Sequence, residues 1–222
     1  MKEVVFINIV AKKENIIDLT MTRLRKVNRE GMDTLIEFLV ENTDYFTAPA
    51  STKYHGNYEG GLIRHSNNVV NLLYEKNKRY NLGIPDESII ICGLLHDICK
   101  CNFYQESVKW EKENGKWKSF LSYSIKDTMP LGHGAKSVII LQEFIKLTDL
   151  EKYMIMWHMY NHDLSDYNKY TLNNAVELYP AIVAMYTADL ESSTYLEEKV
   201  ELIEISQEEA NRIQDLNKKN RI

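Results

Sequence analysis

The apolar segment at residues 88–100, SIIICGLLHDICK, constrains the fold of this chain more than any other feature of its sequence. Its nearly continuous apolar character indicates a buried helix. Two polar residues, His96 and Asp97, lie side by side near its end, where an unpaired charge would cost several kcal/mol to remove from water. We therefore expect both side chains to have partners inside the protein.

The rest of the chain predicts a mainly helical protein with one β-hairpin. Residues 106–125 alternate in polarity around Asn114-Gly115, which is the strongest short hairpin signal in a sequence. The segment APASTKYHGNYEGG, rich in small and turn-forming residues, predicts an irregular loop. Apolar residues at helical spacing predict helices over 32–43, 61–79, 86–99, 133–147, 150–161, 172–190 and 207–218.

Length, charge and cysteine content limit the classes of protein to consider. A chain of 222 residues fits one large domain, and its net charge of −5 argues against a generally basic nucleic-acid-binding surface. The three cysteines, Cys92, Cys99 and Cys101, predict reduced thiols in a cytoplasmic protein. The N-terminal apolar stretch is too short for a membrane span or a signal peptide, so no membrane partner is expected.

Histidine and aspartate side chains recur inside or at the ends of the apolar segments. One such histidine is more often a hydrogen-bonded core residue than a ligand. Six of them, from five segments, would each need a separate partner, whereas one or two cations would satisfy all of them. Imidazole and carboxylate are suitable ligands for Mn, Fe, Co, Ni or Zn. The six residues are His65, His96, Asp97, His133, His158 and Asp189.

The motifs around these residues, namely YHGNYEGGLIRHS, GLLHDICK, LGHGAKS, WHM and TADLE, resemble the HD-domain metal-dependent phosphohydrolases over about residues 45–197. The resemblance implies an HD-type helical bundle at 31–200 with the hairpin inserted, an N-terminal extension at 1–30 and a C-terminal helix within 201–222. It places the H…HD…D pattern on His65, His96, Asp97 and Asp189. His133 and His158 match the added histidines of the two-metal subset, and Asp97 would bridge the two metals.

The same resemblance implies the chemistry. Two divalent transition-metal ions (Mn, Fe, Co, Ni or Zn, with Mg as a further option) would supply hydroxide near neutral pH for attack on a phosphoester or phosphoanhydride. Lys100 matches a lysine that the family uses on substrate phosphate, and Asp97 and Lys100 are the predicted catalytic residues. Lys100 could instead be a solvated lysine after a helix end. Lys136 has the same two interpretations.

Other polar residues are assigned less specific roles. His55 would contact substrate from the loop ahead of His65, or else be an ordinary loop histidine. His162-Asp163 is a second His-Asp pair, but it follows the end of an apolar run and predicts a loop. Cys99 and Cys101 are interpreted as structural, without a Cys–His pair. The aromatic residues of the hairpin would mainly pack it onto the helices, with base stacking as the alternative.

We expect the substrate to be a small nucleotide or phosphomonoester, with extended nucleic acid not favoured. A 3′-end nuclease or cyclic-nucleotide phosphodiesterase would use the same ligands. A non-catalytic nucleotide sensor on the HD fold and a helical interaction module are alternatives from other functional classes. Measurement of bound metal and of turnover would separate these hypotheses, and the oligomeric state is left open.

Overall fold

The computed structural model describes residues 15–160 and 165–219. Over these ranges the chain is mainly helical with a small antiparallel sheet, as predicted. None of the described helices is long and apolar enough to cross a membrane. The helices are α1 (15–24), α2 (Met32–Glu41), α3 (Gly61–Tyr80), α4 (Asp86–Leu95), α5 (His133–Gln142), α6 (Asp149–Met156), α7 (Asp166–Leu178), α8 (Ala181–Glu191) and α9 (Gln207–Lys219). A 3₁₀ turn covers Ile98–Lys100 and a π-helical turn covers Ser192–Leu196.

Helices α3 and α4 form the centre of the molecule and run antiparallel. Almost all of α4 is buried, as its apolar sequence requires. Gly93 permits the close contact between the two helices, because a Cβ there would lie 2.5 Å from Cγ2 of Val70 and 3.0 Å from its backbone nitrogen. This pairing brings the start of α3, with His65, next to the end of α4, with His96.

A buried carboxylate connects α6 to the loop before α2 and to α4. Glu151 completes a capping box with Thr148 at the start of α6. It also accepts hydrogen bonds from Arg29 (2.7 Å) and from the Ser88 hydroxyl (2.8 Å). The Arg29 side chain is the main factor that holds the pKa of Glu151 below its usual value against the opposing effect of burial. Glu151 therefore joins these three elements to one another at the start of α6.

The hairpin follows the sequence prediction closely. Strands β1 (Tyr104–Glu113) and β2 (Lys116–Ile125) pair around Asn114 and Gly115, whose φ angles of 49° and 81° are typical of a type I′ turn. A short strand, β3 (Glu204–Ile205), extends the sheet beside β2. Helix α9 packs on the hairpin through Ala210 and Ile213, which are both buried.

The predicted helices at 32–43, 61–79 and 207–218 are confirmed to within two residues at each end. Others were predicted too long. The helix expected over 86–99 ends at Leu95, since Asp97 leaves the helical region with φ −106° and ψ 21°. Burial continues through Ile98 and Cys99, so the apolar pattern does not reveal this end.

Three further predicted helices also have ends that differ from those in the structure. The helix expected over 133–147 ends at Gln142, and the one over 150–161 ends at Met156, so that His158 lies in the following turn rather than in a helix. The segment at 172–190 contains two helices, because Pro180 lacks the N–H needed to continue α7.

Candidate metal centre

Three completely buried histidines direct Nε2 toward one place in the core. They lie at the start of α3, directly after α4 and in the turn after α6, and each has its Nδ1 within hydrogen-bond distance of an oxygen. The contacts join His65 to Glu197 Oε1 (2.7 Å), His96 to the Gly93 carbonyl (3.1 Å) and His158 to the Ile155 carbonyl (2.7 Å). An oxygen at Nδ1 fixes the ring and leaves the Nε2 lone pair for a metal, as in most histidine metal sites.

His65, His96 and Asp189 form the first part of the cluster. The Nε2 atoms of His65 and His96 are 3.2 Å apart, and His65 Nε2 is 3.1 Å from Oδ1 of Asp189 on α8. These donors all lie within 4.8 Å of one another. Three separate helical elements therefore converge on one point.

Asp97 connects this group to His158. Its Oδ2 lies 3.5 Å from His96 Nε2, and its Oδ1 lies 3.5 Å from His158 Nε2. Both Asp97 Oδ1 and His158 Nε2 are buried, and neither has a hydrogen-bond partner among the residues that the structure describes. Buried polar atoms are rarely left in this way, and a divalent cation would satisfy both. The donor set therefore fits the metal centre that the sequence predicts.

His133 lies on another side of Asp97. At the start of α5, it is half-buried and has its Nδ1 3.4 Å from Sγ of Cys99. Its donor atom groups with those of Asp97 and Cys99, whereas His158 groups with His96 and Asp97. No such group within residues 15–160 and 165–219 contains both His133 and His158. No signal in the sequence indicated this contact between Cys99 and His133, which arises because the 3₁₀ turn after Asp97 directs Cys99 toward α5.

Two neighbouring histidines of the cluster have pKa values that are shifted in opposite directions by their surroundings. Burial lowers the pKa of His96 to about 4, which favours its neutral form. Burial also acts to lower the pKa of His65, but its hydrogen bonds to Asp189 and Glu197 raise that pKa to about 10. A metal cation would take the place of the proton that these two carboxylates stabilise on His65.

Lys100 balances the charge of the aspartate. Burial disfavours the ionised form of Asp97, but Lys100 Nζ, 2.7 Å from Oδ2, helps to keep the pKa of Asp97 well below its usual value. Only 13% of the Lys100 side chain is exposed. The alternative of a solvated surface lysine is therefore wrong for Lys100.

The other two predicted substrate-binding residues have different surroundings. His55 lies beside the cluster, with its ring centre 5.6 Å from that of His65, and burial lowers its pKa. Lys136 is buried, with Nζ 2.5 Å from Oδ1 of Asp127 and 4.8 Å from the ring centre of Phe103. The surface interpretation of Lys136 is therefore wrong, and its role in substrate binding stays a prediction that requires the Asp127 pair to open.

Sequence reasoning missed Glu197, whose carboxylate is almost fully buried. It contacts His65 Nδ1 and accepts a 2.5 Å hydrogen bond from the Ser192 hydroxyl. Glu197 follows the π-helical turn and is itself followed by Glu198, which is exposed. In the sequence, the two glutamates therefore have the pattern of a solvated acidic pair. No local signal in the sequence distinguishes Glu197 from a surface residue.

Two remaining predictions concern the edge of the site. His162 and Asp163 lie outside the described residues. In the hairpin, Phe120 is buried, in agreement with a packing role, whereas 67% of Trp117 is exposed at the far end. The packing interpretation is therefore wrong for Trp117.

The chain matches one known protein family over the segment that carries this cluster. The family model for the HD domain matches residues 62–192, more than half of the chain, and this span includes all six predicted ligands. No curated protein and no solved structure matches the chain at a significant level. HD domains bind divalent metals and are generally metal-dependent phosphohydrolases. From the family match and the buried His/Asp cluster together, we conclude that this chain belongs to the HD domain family.

Proposed function

We propose that this protein is a two-metal phosphohydrolase that cleaves a phosphoester or phosphoanhydride bond of a small nucleotide. The observation that carries the proposal is the convergence of buried imidazoles and carboxylates on Asp97, whose Oδ1 has no hydrogen-bond partner among the described residues. One ion would be held by His65, His96, Asp97 and Asp189, and the other by Asp97, His133 and His158. Bound there, divalent metals supply Lewis acidity and activate water near neutral pH.

The protein's own residues would arrange the reaction. Glu197 holds the His65 ring in its ligating orientation through the Nδ1 contact. Lys100 lies beside Asp97 in a largely buried position, where its positive charge would bind a phosphoryl oxygen and stabilise the negative charge that develops during the reaction. His55 would contact the substrate from the loop before α3, a role supported by the 5.6 Å distance between its ring centre and that of His65.

A cavity outside the metal centre has basic residues in its wall. A cavity of about 200 Å³ lies between the loop that carries His55 and the hairpin, and its wall includes Lys53, Lys109 and Lys199. None of the residues that line it is acidic, although the chain as a whole carries a net charge of −5. Tyr123 in the same wall offers an aromatic face to a base. None of the six candidate ligands lines this cavity, so an anion bound there would occupy a place separate from the metal centre.

The Asp97→Ala variant tests the proposal. Wild-type protein loaded with Mn²⁺ should release phosphate or a nucleotide product from at least one member of a panel of nucleotides and phosphomonoesters. Asp97→Ala should lose this activity because both proposed ions share the Asp97 carboxylate, while its circular dichroism stays helical. Asp149→Ala, which changes an exposed aspartate on α6, should remain active.

Two outcomes would contradict the proposal. Retention of most activity by Asp97→Ala would exclude a mechanism based on this cluster. If metal-loaded wild type bound a nucleotide tightly without turnover, the nucleotide-sensor hypothesis would replace the proposed hydrolase.

A further inference from the structure

Cys99 lies in the candidate metal centre without a role in the ligand set of the proposed function. Its Sγ, one ring nitrogen of its neighbour His133 and a carboxylate oxygen of Asp97 all lie within 4.8 Å of one another. Cys99 is 3% exposed, and its backbone N–H donates to the Ser137 hydroxyl on α5. The thiol is therefore held in place between the 3₁₀ turn and α5.

The spacing of this group suits a metal ion. With metal–sulfur and metal–nitrogen bonds of about 2.3 and 2.0–2.1 Å, two ligands at a tetrahedral angle are about 3.5 Å apart. The observed distance between Cys99 Sγ and His133 Nδ1 is 3.4 Å. A thiol–imidazole hydrogen bond could have the same length, so this distance requires a second observation.

Asp97 supplies that observation. Its Oδ1 is buried and has no hydrogen-bond partner among the described residues, and it lies 3.5 Å from His158 Nε2, which is also without one, so Asp97 has an unsatisfied acceptor on the side of the second ion. A hydrogen bond between Cys99 and His133 leaves that oxygen without a partner. The second ion of the proposed function would satisfy it, and Cys99 lies in the same group as two of the ligands of that ion, Asp97 and His133.

We infer that Cys99 is a thiolate ligand of the second metal ion, in addition to the Asp97, His133 and His158 of the proposed function. The inference rests on the two-metal site of the proposed function and adds a ligand that also determines which metal is bound. Thiolate prefers zinc, cobalt and iron, whereas Mg²⁺ and Mn²⁺ prefer oxygen ligands. The second site should therefore select a softer transition metal.

Cobalt titration of the metal-free protein tests the inference. Wild type should bind two equivalents of Co²⁺ and develop a thiolate-to-cobalt charge-transfer band in the near ultraviolet. Cys99→Ser should lose the band, and its affinity for the second equivalent of Co²⁺ should fall by about 100-fold. Loss of a residue that only supports a metal ligand lowers metal affinity by about 10–100-fold, so loss of a ligand itself should reach the upper end of that range. Cys101→Ser, in the same segment, is the matched control and should behave as wild type.

The outcomes separate this inference from the proposed function. Two equivalents of Co²⁺ without the band, and unchanged in Cys99→Ser, would overturn the role of Cys99 and leave the two-metal site in place. One equivalent in all three proteins would overturn the two-metal site and, with it, this inference. X-ray absorption of zinc-loaded wild type does not depend on the folding of any variant. It should detect sulfur at about 2.3 Å, on average one sulfur for the two zinc ions, and an oxygen and nitrogen shell without sulfur would refute the inference.

Discussion

At the scale of single residues, the site depends on opposite charges placed in a poorly solvated core. Asp97 stays ionised although it is buried, and its ion pair with Lys100 is a main reason. Lys100 in turn keeps its positive charge, because Asp97 raises its pKa against the opposing effect of burial. Charges interact more strongly here than at the surface, because little water separates them. A phosphate that approaches Lys100 would therefore meet a cation that is fixed in position by its ion pair with Asp97 and little screened by water.

Replacement of Lys100 by alanine should lower kcat by about 10²–10³-fold, as expected for the loss of one preorganised group that stabilises developing charge. The metal content should not change, because Lys100 contributes no ligand atom. Steady-state kinetics and metal analysis of the purified variant measure the two effects.

Lys152→Ala is the control for this variant, since Lys152 pairs with Asp149 on the surface of α6. It should retain wild-type kinetics, and Lys100→Arg should recover part of the lost rate. If Lys100→Ala instead had unchanged kcat, Lys100 would serve only to balance the charge of Asp97.

At the scale of secondary-structure elements, a close approach near the site is between α5 and the end of α6. A Cβ at Gly134 would lie 2.1 Å from the Met156 carbonyl oxygen, so only glycine permits this contact. The contact determines where α5 presents His133, and it is made by the residue at which α6 ends before the turn that carries His158. A single glycine therefore sets the relative position of two predicted ligands from different elements.

Gly134→Ala should destabilise the fold by about 1–3 kcal/mol, the usual cost of excess volume in a packed contact. It should also weaken metal binding, because α5 must move away from α6. Urea unfolding and metal titration measure the two effects.

Gly132→Ser provides the comparison for Gly134→Ala. A Cβ at Gly132 meets no atom within 4 Å, and serine is a favoured residue at this N-cap. The free energy of unfolding of this variant should lie within about 0.5 kcal/mol of the wild-type value. Equal stability and metal affinity in the two glycine variants would show that the approach of α5 to α6 is not tight.

At the scale of the whole molecule, the candidate ligands join parts of the chain that are far apart in sequence. They come from α3, the end of α4, the start of α5, the turn after α6, and α8. A cation bound to them would stabilise the folded state, because the unfolded chain cannot bring these side chains together.

Saturating metal should therefore raise the melting temperature. At a free metal concentration of 100 times Kd, the stabilisation is about 2.7 kcal/mol for one site. In a protein of this size, that stabilisation corresponds to a rise in the melting temperature of roughly 5–10 °C. Differential scanning calorimetry with and without Mn²⁺ or Zn²⁺ measures the shift, a chelator should reverse it, and Asp97→Ala should lack most of it. An equal shift in that variant would indicate that the metal binds elsewhere.

The sequence by itself determined the element types, the hairpin and its turn, and the chemical identity of most candidate ligands. Helical and alternating periodicities are local, and Asn114-Gly115 is a local signal for a type I′ turn. His65, His96, Asp97 and Asp189 could be identified because each polar side chain interrupts or ends an apolar segment.

Only the tertiary structure decided which side chains meet and in which direction they point. Glu197 could not be distinguished from a surface acid, and the contact of Cys99 with His133 depends on the turn that follows Asp97. Lys136 is paired with Asp127 for the same kind of reason. These contacts join residues from different elements, and their geometry follows from the packing of helices and turns. Local periodicity carries no information about that packing.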